Sequence, residues 1–279
     1  MRFTKMQGIG NDYIYLDCVS CPMPADPSAL ALRISDRHFG VGSDGLVLIC
    51  GSDAADFRMR MYNADGSEAE MCGNAARCVG KYVYERGLTR KTEISLETGA
   101  GVKQLSLTLS DGGVDSVTVD MGTPELRPAL IPVDLPEDGP AVDVPVTVDG
   151  RTFRGTAVSM GNPHFVIFQQ EVETFPLETW GPQIESHPLF PRKVNTEFAR
   201  VEDRSHIRMR VWERGSGETL ACGTGACATL VAAVLNGLTD RQATLRLLGG
   251  DLDIRWDAET GHVLMTGPAE FVFDGEWKC

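Results

Sequence analysis

A chain of 279 residues, 42% hydrophobic and 23% charged, is long enough to bury a full core in one or two domains and has the balance of an ordinary globular protein. Its 39 acidic against 26 basic residues leave a formal net charge of -13, which excludes the basic footprint of a nucleic-acid binder and disfavours an anionic membrane surface. No apolar run approaches the roughly 20 residues of a membrane span, and the opening MRFTKMQGIGNDYIYLD lacks the apolar core of a secretion signal; the chain is expected in the cytoplasm, its eight cysteines reduced.

Most of the chain reads as short strands. Val, Ile, Leu and Phe recur at every second residue in DYIYLDCV (12–19), GLVLIC (45–50), FRMRMYN (57–63), TEISLET (92–98), KQLSLTLS (103–110) and VDSVTVDM (114–121). Two stretches differ: 73–86 and 223–236 are rich in Ala, Val and Leu, lack Pro and run out near Gly87 and Gly237, which predicts helices. Residues 122–145, with six prolines, read as an irregular connection between halves. Strands resume at HFVIFQ (164–169), EFARVE (197–202), IRMRVWE (207–213), ATLRLLG (243–249) and DLDIRWD (251–257).

The halves also match each other. Shifted by 150 positions, RMRMYNADGSEAEMCGNAA (58–76) falls on RMRVWERGSGETLACGTGA (208–226), with Arg58, Met59, Arg60, Glu68, Cys72, Gly73 and Ala76 meeting identical residues. A shift of 151 sets Gly10-Asn11 on Gly161-Asn162, each opening a strand. An ancient duplication is the economical reading: two similar β-rich domains, each with a helix beginning just after Cys-Gly. A pseudo-twofold relation is expected to bring the two helix N-termini to one cleft.

A thiol at a helix entrance has its anion stabilised by unpaired N–H groups and the helix dipole, so its pKa is expected to fall toward neutrality. The glycine after each cysteine lets a carboxylate approach the same N–H groups. Two such thiols could hold an α-amino acid between them, one removing the α-proton and the other supplying a proton from the opposite face. Their protonation states then belong to the pair. An isolated cysteine is more often a buried small hydrophobe; the doubled Cys-Gly context is what points to chemistry.

Taken together, GIGNDYIYLD, DRHFGVGSDGLVLI, RMYNADGSEAEMCGNAARC, MGNPHFV, VNTEF and ERGSGETLACGTGACA resemble diaminopimelate epimerase, in order and almost from end to end. The resemblance implies an α/β (α+β) fold of two pseudo-symmetric domains, each a curved β-sheet or barrel wrapped around a central helix. The expected division is 1–120, completed by the last strand at 268–279, and 121–267. It also implies an isomerase that interconverts LL- and meso-2,6-diaminopimelate for lysine and peptidoglycan precursor synthesis, without cofactor or metal, as a homodimer.

On the matching positions, Cys72 and Cys222 are the catalytic pair, with Cys72 the donor and Cys222 the acceptor in one direction. Gly73-Asn74 and Gly223-Thr224 are the helix-entrance groups that hold the reacting carboxylate. Asn11, Asn63, Asn162, Asn195 and Arg214 hold the substrate, notably its distal end, where a guanidinium fork suits a carboxylate. Glu213 and His164 lie near the reacting amine and the thiols. Two positions depart from the pattern. Gly45 follows Asp44 where some members carry a substrate-contacting Gln, and Phe273 precedes Asp274-Gly275 where some carry a dimer-contact Tyr.

The nearest alternative is a proline or hydroxyproline racemase-like enzyme, which also uses opposed cysteines but typically has His where MCGNA has Asn74, and Asp where this chain has Glu-Arg-Gly. Proline has no second charged end for Arg214. A thiol or metal protein is a different class. Cys18 and Cys21 make a single CxxC beside Pro22, short of the two tight pairs of a four-cysteine zinc site and without the strand-to-helix setting of a redox motif.

Overall fold

The computed structural model describes residues 1–135 and 139–278. The chain divides into two units, one taking in Met1–Asp120 and the chain from Thr266 onward, the other Met121–Met265. Each is a mixed α/β assembly of strands packed on a helix.

The first unit opens on a hairpin of β1 (Arg2–Gly8) and β2 (Asn11–Cys18). Its two turn residues, Ile9 and Gly10, have φ of 48° and 87°, the left-handed pair whose twist matches that of the strands. Helix α1 (Pro27–Ile34) follows, with Asp26 accepting the Ala29 N–H at 3.0 Å. Next come β3 (Gly45–Cys50), parallel to β2, β4 (Phe57–Asn63), antiparallel to β3, and the short β5 (Glu68–Ala69). Helix α2 (Gly73–Glu85) leads to β6 (Glu93–Thr98), parallel to β4, then β7 (Gly101–Ser110) and β8 (Gly113–Asp120). The last strand, Glu270–Glu276, pairs with β1.

The second unit repeats this succession. A short 3-10 turn (Pro128–Leu130) precedes the hairpin of β9 (Val144–Val148) and β10 (Arg151–Ser159), and β10 pairs in turn with β11 (Pro163–Phe168). Helix α3 (Leu177–Glu185) comes before β12 (Asn195–Asp203), parallel to β11, and β13 (His206–Glu213), antiparallel to β12. Beyond β14 (Gly217–Glu218) and helix α4 (Gly223–Leu235), β15 (Gln242–Leu247) runs parallel to β13 and β16 (Gly250–Trp256) closes the series. The boundary between units falls inside β17 (Val263–Gly267).

Strands β10, β11, β12, β15 and β16 pack on α4, which is apolar around nearly its whole circumference, as a helix enclosed by sheet must be. Helix α2 sits likewise on β1, β2, β7 and β8. On the other side of β3, Leu46, Leu48 and Cys50 join Leu30, Ala31 and Ile34 of α1 in a second core cluster. Strand β3 is therefore buried on both faces, which is why GLVLIC is apolar throughout.

Both predicted helices form, beginning at Gly73 and Gly223, and all eleven predicted strands are present with shifts of a residue or two at their ends. Helices α1 and α3 and strands β1, β9 and β10 were not expected. Helix α3 has Gly181 and Pro182 in its interior, a pattern that argues against helix; a Cβ on Gly181 would lie 2.4 Å from the Trp212 ring, so close packing demands the glycine. The connection read over 122–145 is irregular in its described part up to β9, apart from the 3-10 turn, but it is not excluded from the core. Ile131, Val133, Ala141 and Val144 belong to the core of the second unit, and Pro145 lies inside β9. Pro136 falls outside the described residues.

Candidate active site

In the first unit, Cys72 is the N-cap of α2, in extended conformation at φ -138° and ψ 122°. Its Sγ donates to Asn11 Oδ1 at 3.3 Å, and Asn74 Nδ2 donates to the same oxygen at 3.3 Å. Asn74 Oδ1 accepts Nη1 of the fully buried Arg77 at 2.9 Å, while Arg77 Nε donates to Pro268 O at 3.1 Å. Asn11 itself is held from the far side: its Nδ2 donates to Asp44 Oδ2 at 2.7 Å. Asp44 in turn accepts Arg37 Nη2 at 2.9 Å. Gly73 and Asn74 are buried with their N–H groups in the first turn of the helix, where no intrahelical acceptor exists.

Tyr13 lies under Cys72. Burial, with the nearby Cys72 and Asp44, pushes its phenol well above the usual range, so the hydroxyl stays neutral. Tyr13 pairs across the sheet with Gly45, and Gly45 with Asn63. Asn63 is half-buried, its Nδ2 donating to Ser67 Oγ at 3.0 Å. At Gly45 no side chain fits, since a Cβ would lie 2.1 Å from the Tyr62 carbonyl oxygen. A glutamine is thus excluded from this position by the backbone of β4.

In the second unit Cys222 caps α4, and its sulfur accepts the Gly225 N–H at 3.4 Å. A chain of contacts leads from it. Thr224 Oγ1 lies 3.6 Å from the sulfur and accepts Asn162 Nδ2 at 3.2 Å; Asn162 Oδ1 lies 3.1 Å from His164 Nε2, and His164 Nδ1 lies 2.7 Å from Glu197 Oε1. His164 and Glu197 are wholly buried. Glu213 accepts the Thr219 hydroxyl at 2.5 Å and also hydrogen-bonds the Cys222 thiol. Asn195 accepts the Arg214 N–H at 2.9 Å, and the Arg214 guanidinium donates to Arg192 O at 3.0 Å.

The electrostatics of Cys222 differ from the expectation for a helix entrance. Burial, then the carboxylates of Glu213 and Glu197, push the thiol well above its ordinary value; Thr224 and the Gly225 N–H pull it down, but less. Glu213 is itself raised, by burial first and then by Glu197, against the opposing pull of Thr219, His164 and Cys222. Burial away from water with two carboxylic groups outweighs the helix dipole.

The structure therefore gathers Asn11, Cys72, Gly73 and Asn74 in one unit, with Asn63 two strands from Tyr13. In the other it gathers Asn162, His164, Glu213, Cys222, Gly223 and Thr224, with Asn195 bonded to Arg214. Sequence reasoning missed Tyr13, Asp44, Glu197 and Thr219. A signal existed for Glu197: strand alternation sets it on the face of Asn195, opposite Phe198, so it points inward as a charged residue. Cys18 and Cys21 do not open a helix; Cys18 ends β2 and pairs in register with Cys50. Among the described residues no group of three or more His, Cys, Asp or Glu is arranged to hold a metal ion, and no helix is long and apolar enough to cross a membrane.

The fold occurs in other proteins of known structure. It is shared with a phenazine biosynthesis protein of Bacillus anthracis (TM-score 0.72, 15% identity, covering 100% of this chain and 99% of that one). A probable proline racemase from Agrobacterium radiobacter has it too (TM-score 0.70, 16% identity, covering 99% and 92%). At such identities the likeness is one of fold. The diaminopimelate epimerase family profile matches residues 3–127 and 156–272. A diaminopimelate epimerase from Acetivibrio thermocellus is 59% identical over 276 residues, 99% of this chain and 98% of that one; one from Methanococcus maripaludis is 56% identical, covering 99% of each. The protein is an epimerase by class, and the chain belongs to the diaminopimelate epimerase family.

Proposed function

We propose that this protein interconverts LL- and meso-2,6-diaminopimelate by proton transfer at one α-carbon, with Cys72 and Cys222 as the two acid–base groups and no cofactor. The observation that carries the reading is that each cysteine of the duplicated motif caps a helix whose first N–H groups belong to Gly-Asn or Gly-Thr. Those N–H groups are suited to the reacting carboxylate and to the charge that develops on it as the α-proton leaves. One sulfur, as thiolate, takes the α-proton; the other, as thiol, gives its proton to the carbanion, and the two protonation states exchange in each turnover. We assign Glu213, bonded to the Cys222 thiol, to the α-ammonium, whose charge would offset the carboxylate. Arg214, with Asn11, Asn63, Asn162 and Asn195, serves the distal, non-reacting end.

The racemase-like alternative is disfavoured by family membership and by Arg214, for which proline offers no partner. We further assign the reaction to lysine and peptidoglycan precursor synthesis in the cytoplasm, by a homodimer. Val272 and Phe273, 51% and 46% exposed on the last strand, suit an apolar dimer contact that lacks the tyrosine hydroxyl. LL-Diaminopimelate incubated with the protein in deuterated water should yield meso product carrying one solvent deuterium at the inverted carbon, while L-proline is left unchanged. Turnover of proline, or no turnover of diaminopimelate, overturns the assignment.

A further inference from the structure

The two units carry the same succession of strands, yet they differ at the floor beneath the cysteine. In the first unit the register runs Tyr13 to Gly45 and Tyr15 to Val47; in the second, His164 to Asn195 and Val166 to Glu197. Glu197 therefore occupies the place of Val47, and His164 that of Tyr13. The helices differ in step: Ala75 in α2 corresponds to Gly225 in α4. A Cβ on Gly225 would stand 2.7 Å from Glu197 Oε1 and 3.1 Å from Cys222 Sγ. Three positions have changed together, and the product is a buried histidine–carboxyl pair against one thiol and not the other.

A wholly buried carboxyl is costly unless it is paired, and Glu197 Oε2 has no hydrogen-bond partner among the described residues. Packing alone does not call for it, since valine fills the equivalent place in the first unit. Resting on the function proposed above, we infer that Glu197 is a positioning residue: it holds His164 in the form that donates from Nε2 to Asn162, and it keeps the proton on Cys222 until substrate binds.

Asn162 presents Oδ1 to His164 because its Nδ2 is committed to Thr224. Nε2 therefore carries a hydrogen. One further proton lies between Nδ1 and Glu197 Oε1, on either atom, at a separation of 2.7 Å. Without the carboxyl, Nδ1 would lose the partner that Glu197 supplies and the ring could take the opposite tautomer, turning Asn162 away from Thr224. The titratable groups facing Glu197 are His164 on β11, Glu213 on β13 and Cys222 at the start of α4. With the shared proton on Nδ1, the carboxylate of Glu197 acts on Cys222 in addition to that of Glu213.

The unmodified protein supplies the first test, with no variant to misfold. In nitrogen-15 spectra of histidine-labelled protein at neutral pH, the His164 signal, assigned by its loss in His164→Gln, should show Nε2 protonated. An Nε2 without its proton overturns the inference. The second test follows iodoacetamide alkylation of the Cys222 peptide against pH by mass spectrometry. Glu197→Gln, shown by circular dichroism to be folded, should move the midpoint down by about one pH unit or more. It should also lower kcat about tenfold or more with KM changed less than about threefold, and Glu197→Asp should recover part of the loss. A folded Glu197→Gln with the wild-type alkylation profile overturns the inference. Neither the spectrum nor the alkylation needs substrate, so both stand if diaminopimelate is not turned over, and that failure falls on the reaction assignment.

Discussion

Asp44 Oδ2 accepts the Asn11 amide nitrogen at 2.7 Å, and this bond decides which end of the amide meets the Cys72 thiol at 3.3 Å. With Nδ2 committed to Asp44, only the carbonyl oxygen is left to receive the S–H. Asp44→Ala frees the amide to rotate and present a donor instead. We expect kcat to fall about tenfold, the scale of one lost hydrogen bond in a positioned network. The melting temperature should change little, because Asp44 is 37% exposed. Steady-state kinetics beside a melting curve check it; unaltered kcat would show that Asn11 holds its orientation unaided.

The packing of Glu197 against α4 makes a second prediction. Gly225→Ala drives a methyl to 2.7 Å from Glu197 Oε1 and should cost about 1–3 kcal/mol. Glu197→Val with Gly225→Ala installs the valine and alanine found at the equivalent positions 47 and 75 of the first unit and should regain most of that stability. Activity should stay low, because His164 loses its partner. Urea titration of the two single variants and the double supplies the cycle; additive losses would refute the equivalence of the two floors.

Much of this arrangement is legible in the amino-acid sequence. The repeat offset of 150 placed both helices to within a residue, because the Cys-Gly start and the Ala-rich run carry their own boundary signals. Helices α1 and α3 were not legible, because α1 has eight residues beside a proline-rich turn and α3 has Gly181-Pro182 at its centre. The motif residues of the site were readable one by one, but their partners were not. Asp44 meets Asn11 across 33 residues and Glu197 meets His164 across 33, contacts made by parallel strand pairing that no local pattern encodes. The pKa of Cys222 went against the helix-entrance expectation for a related reason: burial comes from the tertiary packing, and the opposing carboxyls come from β12 and β13.

Glu213 predicts a pH dependence. Its folded carboxyl is raised above the ordinary value of 4.5, so the stability it contributes is full below that pH and is lost as pH rises through the folded value. Above the folded value the ionised, desolvated carboxylate is therefore a burden on the fold. Glu213→Gln should melt at or above the wild-type temperature at pH 8 and gain nothing at pH 4, while its activity drops. Melting curves at the two values decide the matter; a lower melting temperature at pH 8 with an unchanged one at pH 4 would reverse the sign.

The two thiols can be separated by what each does alone. With Cys222→Ala only the Cys72 sulfur remains, able to remove and return a proton on one face of the α-carbon without inverting it; with Cys72→Ala the opposite face is served. Each variant should lose epimerisation by about a thousandfold or more, the scale of a lost acid–base group. Each should still wash deuterium from solvent into one diastereomer of diaminopimelate, and the two variants should label opposite ones. Proton NMR in deuterated water follows the α-hydrogen directly. If either variant exchanged both diastereomers at equal rates, one base would be reaching both faces and the assignment of one sulfur to each would be wrong.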